Sequence, residues 1–139
     1  MNTEQSPHQL INPENMAPAK GFSQAVVPAE GKTVYLSGQV ASDQTGAIVG
    51  ETFVEQYDLA LWNIVTALRA AGGEPTDIVS LIIYTTSAQE YRDSLPDVGV
   101  AHRKHLGRHF PAMALFGVTE LFDPAAKVEI MTTAVVADR

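Results

Sequence analysis

Apolar residues recur in two distinct rhythms along this chain. Over 52–71 they fall at Phe53, Tyr57, Leu61, Ile64 and Leu68, in steps of three and four. That spacing puts them on one face of a helix. Thr52 stands where an N-cap belongs, with Glu55 at the capping-box distance, and Gly72-Gly73 supplies a stop. Over 78–85 the chain is almost continuously apolar, which fits a strand covered on both faces. Residues 22–27 and 33–40 read as short strands around a Pro28-Ala29-Glu30-Gly31 turn, and so as a hairpin. A second turn is expected at 43–46. A second helix is expected over 100–109, after a turn at 96–99 and ended by Pro111. Strands over 112–119 and 127–136 complete the pattern.

The predicted order is ββ-α-β-α-ββ. It defines an α+β class in which two helices cover one face of a sheet. A helix followed by a strand occurs twice, at 52–85 and 100–119, without a true repeat. Residues 1–20, with Pro7, Pro13 and Pro18, read as a flexible lead-in, and 21–139 as a single domain.

Composition narrows the function. The chain of 139 residues is 45% hydrophobic and 18% charged, as an ordinary globular domain is. It has no Cys, which removes disulfides and thiolate catalysis. The N-terminal segment lacks a basic start followed by an apolar run, and no apolar stretch is long enough for a membrane span. A cytoplasmic protein without a membrane partner is expected. The net charge of −7, with bases clustered only at Arg103, Lys104 and Arg108, argues against nucleic acid as a partner.

Several segments carry a resemblance. They are Gly21-Phe22-Ser23-Gln24-Ala25-Val26, Val34-Tyr35-Leu36-Ser37-Gly38-Gln39-Val40, and Glu55-Gln56 with Leu61-Trp62-Asn63-Ile64. Ala70-Ala71-Gly72-Gly73 with Asp77-Ile78-Val79 follows, and then the run from Pro111-Ala112-Met113 to Val128-Glu129-Ile130-Met131. In this order, across about residues 20–137, they resemble the Rid/YjgF family, which includes imine and enamine deaminases. The resemblance implies a chorismate mutase-like fold, a six-stranded mixed sheet with two helices on one face. It also implies a homotrimer with ligand sites in the clefts between subunits.

Deaminating members of that family place an Arg after Pro-Ala, where it pairs with the substrate carboxylate. They also carry a Glu in the last strand that handles water. By this reading the corresponding positions are Met113 and Met131, and Phe22 stands where a Tyr is frequent. A thioether neither pairs with a carboxylate nor carries a proton. The expectation is a divergent member with a more apolar pocket, contacted by Phe22, Ser37, Gly38, Gln39, Met113 and Met131. For both Met residues plain packing stands beside ligand contact, and Gly38 reads first as backbone geometry. Glu120 is either a solvated carboxylate or a displaced catalytic group.

His102, His105 and His109 share a rough face of the second helix. They read as a solvated or interface face, as an anion patch, or as a zinc site opposed by the neighbouring cations. No metal or cofactor is called for. Three functions remain. One is a hydrolase or tautomerase of an imine or enamine, with altered specificity. Another is a ligand-binding or regulatory trimer without chemistry. The third, a ribonuclease or translation inhibitor, fits the acidic charge least.

Overall fold

The computed structural model describes residues 5–138. Its strands are β1 (Gln9–Ile11), β2 (Ala25–Val27), β3 (Gly31–Gln39), β4 (Ile78–Thr85), β5 (Ala112–Gly117) and β6 (Val128–Ala137). Its helices are α1 (Phe53–Ala70), α2 (Ala88–Asp93) and α3 (Leu95–Leu106). The main sheet has the order β3-β6-β4-β5. β4 and β5 run parallel and the other pairs antiparallel, so the sheet is mixed. The expected α+β class with two main helices on a mixed sheet is what the chain adopts.

α1 forms where the three-and-four rhythm lies. Thr52 Oγ1 accepts from the Glu55 N–H at 3.1 Å, and the Glu55 carboxylate accepts from the Thr52 N–H at 3.1 Å. The capping box therefore closes as the sequence implies. Gly72 follows the helix with φ +89°, a conformation that costs glycine little. The apolar face of α1 packs Phe53, Tyr57, Leu61, Ile64 and Leu68 against Leu81 and Ile83 of β4 and Val128 and Ile130 of β6. Val98 and Leu106 of α3 close the same core.

Four expectations are corrected. The six strands divide into four plus two, because β1 and β2 make a separate antiparallel pair. That pair is tethered to the edge of the main sheet by a parallel bridge between Ser23 and Ala112. The hairpin of β2 with β3 does not form. β2 is three residues long, whereas β3 finds a full-length partner in β6 and so buries Leu36 under the helices.

The lead-in read over 1–20 contains β1, since proline excludes helix but not extended chain. Its residues 1–4 lie outside the described residues. His8, just before β1, is buried. Its Nε2–H donates to the Asp77 carbonyl at 2.9 Å, and its Nδ1 accepts from the Ala29 N–H at 3.0 Å. The expected turn at 96–99 is helical. α3 starts at Leu95 with Pro96 in its first turn, where a missing N–H costs nothing. The short α2 was not foreseen.

Candidate functional site

The sheet has one face under the helices and one face open, and the residues singled out above divide between them. Met113 pairs with Leu81 across the parallel β4–β5 ladder, and Leu81 is a core residue. Partners in a parallel ladder point the same way. Met113 therefore faces the helices, where it packs against the core. Phe22 is brought to the same place by the N-terminal arm. The Ser23 N–H donates to the Pro111 carbonyl at 3.0 Å, and Ser23 Oγ donates to the Phe110 carbonyl at 2.6 Å. Between them opens a cavity of about 660 Å³, a volume suited to a small metabolite.

Tyr57, Tyr91, Val98 and Phe110 line much of this cavity. The Tyr57 and Tyr91 rings meet nearly edge-on at 6.4 Å. Burial pushes the Tyr57 phenol far above its ordinary range, and the neighbouring Tyr91 adds to the effect. Burial raises Tyr91 as well. Both hydroxyls are thus protonated at neutral pH and are donors, not bases.

Ser37, Gly38 and Met131 lie elsewhere. Leu36 pairs with Thr132 and Gln39 with Ile130, and the register shifts between them at Ser37-Gly38. A Cβ at Gly38 would overlap the Glu129 carboxylate, so the bare backbone makes room for that side chain. Glu129 pairs with Tyr84, and Met131 with Ile82. These side chains stand on the open face, together with Phe116, which stacks on Tyr84 at 6.0 Å. The Gln39 side-chain amide donates to the Ser37 carbonyl at 3.2 Å.

Within one chain, then, Met113 and Met131 stand on opposite faces of the sheet, and Phe22 and Gly38 are separated in the same way. Glu120 is exposed in the loop after β5, outside the cavity lining.

The three histidines do not form a solvated helix face. His102 and His109 are buried. His102 Nε2–H donates to the His109 carbonyl at 2.7 Å, and His109 Nε2–H donates to the Ile78 carbonyl at 2.7 Å. The His102 ring ties α3 to the segment that follows it, and the His109 ring ties that segment to the start of β4. Burial holds both below the ordinary imidazole value, so both are neutral donors. His105 turns instead to Asp58, Nε2 to Oδ1 at 2.7 Å. Among the described residues, no three His, Asp or Glu side chains gather as a metal site. No helix there is long and apolar enough to cross a membrane.

Glu129 is the residue that sequence reasoning passed over. Its signal was present: a carboxylate inside the alternating Val128-Glu129-Ile130 strand, matched to a glycine in a distant strand.

This architecture is an α+β domain, a mixed sheet under two main helices with a cavity at the edge strand. The family model described as Endoribonuclease L-PSP matches residues 13–136, and the chain belongs to that family, the Rid/YjgF group. The chain is 32% identical to a goat (Capra hircus) 2-iminobutanoate/2-iminopropanoate deaminase and 28% identical to the human protein of the same name. Either alignment covers 82% of this chain and 79% of the relative. Among solved structures, it is 32% identical to YyfB of Yersinia pestis, a Rid-family protein of unknown function. The TM-score is 0.85, with 93% of this chain and 98% of that one covered. RidA from an Antarctic Psychrobacter is 29% identical, with a TM-score of 0.66 over 86% of this chain and 92% of that one.

Proposed function

We propose that this protein is a divergent Rid-family enzyme. It binds an imine or enamine with an apolar body and hydrolyses or tautomerises it, and it is not a standard 2-imino-acid deaminase. The observation that carries this reading is the cavity in which Phe22 and Met113 meet above Tyr57 and Tyr91. The family resemblance expects an Arg at position 113, and a thioether there favours an apolar substrate over a short, carboxylate-dominated one. In hydrolysis, water adds to the C=N carbon and gives up a proton while the nitrogen leaves protonated. A carboxylate is suited to move that proton. Glu129, held against Gly38, is the group we assign to that task in preference to the exposed Glu120; it stands on the other face of its own chain, so it would serve the cavity of a neighbouring copy in a trimer.

A second reading, a ligand-binding trimer without chemistry, has one observation in its favour. The cavity lining contains no carboxylate, and Glu129 stands on the other face of the same chain. A ribonuclease reading comes only from the family's name and is opposed by the net charge of −7.

The test generates imines in situ and follows ammonia. Wild type should turn over an imine with a bulky apolar side chain faster than 2-iminopropanoate. Glu129→Gln should lower that rate by about 100-fold or more, the usual range for a lost acid–base group. Met113→Arg should raise activity on 2-iminopropanoate. If every imine decays at the buffer rate, the binding reading replaces the enzymatic one.

A further inference from the structure

We infer that Arg103 and Lys20 form a cationic rim that makes the helix-side cavity select an anionic amphipathic ligand, a carboxylate with an apolar or aromatic body. The inference rests on the proposal that this cavity is the ligand site. The chain carries 16 Asp and Glu against 9 Lys and Arg, yet no Asp or Glu lines this cavity. Its charged lining is Lys20 and Arg103.

Three other bases on the surface find acids, while among the described residues Lys32, Arg92 and Arg108 form no ion pair and line no part of this cavity. Arg69 pairs with Glu74, Lys104 with Asp58, and Lys127 with Glu90. Among the described residues, neither Lys20 nor Arg103 takes part in an ion pair. Two unpaired cations lining one cavity, with no carboxylate beside them, raise the local potential toward anions.

The position of the guanidinium supports the assignment. It folds back one helical turn, so that a Cβ added to Gly99 would lie 3.4 Å from Nη1 of Arg103. Gly99 itself lines the cavity, so the guanidinium is held against the cavity wall. A guanidinium presents paired N–H donors to a carboxylate. Below it the walls are apolar, from Val98, Phe110 and Leu115. Phe110 is fixed by stacking on the buried His102 at 4.8 Å. Met113 supplies no charge, so the anion is read by Lys20 and Arg103 and the apolar body by the remaining lining.

The test compares two probes that differ in charge, 3-phenylpropanoate and 3-phenylpropanamide, by isothermal titration calorimetry. Wild type should bind the carboxylate at least about tenfold tighter than the amide, a difference of about 1.4 kcal/mol. A Lys20→Ala/Arg103→Ala variant should bind both alike. Both side chains are exposed, so the variant is expected to fold, and its far-UV circular dichroism checks this. Equal binding of the two probes by wild type would overturn the anion selection and leave the cavity reading standing. A carboxylate preference that survives in the double variant would overturn the assignment to Lys20 and Arg103. Binding of neither probe would overturn the cavity as the ligand site, and this inference with it.

Discussion

A carboxylate and a glycine from distant parts of the chain share one space at Gly38 and Glu129. Any side chain at position 38 must displace the flexible carboxylate. Gly38→Ala should therefore cost about 1 kcal/mol, at the low end for overpacking, because the obstacle is a side chain and not backbone. Glu129→Ala in the same background should recover most of that loss, and the coupling is read from urea midpoints in a double-mutant cycle. The pair also shows what was hidden at this scale. The Val-Glu-Ile alternation was visible in the sequence, but only the register of β6 against β3 and β4 reveals which face its carboxylate takes.

His102 and His109 were visible as residue types, and their burial was not. Desolvation lowers both imidazoles, partly opposed by their bonds to the His109 and Ile78 carbonyls. The unfolded chain thus takes up protons first as pH falls. Stability should be level above about pH 7 and decline as pH drops through the unfolded imidazole value of about 6.5 toward the lower folded values. Urea midpoints across pH 5 to 8 would show the decline. A level profile would mean that the rings accept protons in place.

At the scale of elements, what was legible was local. The helix rhythm and the capping box marked α1, and the apolar run marked β4 at the bounds the structure shows. Thr52→Ala should cost about 1 kcal/mol, the usual loss for an N-cap hydroxyl, and thermal unfolding would register it. Ile64→Ala should cost more, roughly 2–5 kcal/mol, because Ile64 is fully buried on the inner face of α1. What was not legible was pairing. Two short strands separated by a proline turn imitate a hairpin, but β3 pairs with a strand that lies far along the chain. Likewise Pro96 reads as a turn, but it stands in the first turn of α3, whose Val98 and Ala101 are buried. The arm with β1 was obscured because three extended residues carry no periodicity.

The open face of the sheet is unfinished business for a single chain. Tyr35 is 81% exposed, Phe116 51% and Met131 50%, beside the half-buried Ile82 and Tyr84. Apolar patches of this kind mark interaction surfaces, and we propose as the occupant what the family resemblance implies, further copies of the same chain in a trimer. Light scattering should therefore report three chain masses. A Phe116→Lys/Met131→Lys variant should run as a monomer with unchanged far-UV circular dichroism, since both side chains point away from the core. The two faces give this variant a second use. Glu129 belongs to the open face and would be enclosed only by assembly, whereas the cavity at Phe22 and Met113 is formed within one chain. Dissociation should thus abolish imine turnover and leave carboxylate binding intact. Loss of both together would mean that a neighbouring chain completes the binding cavity as well.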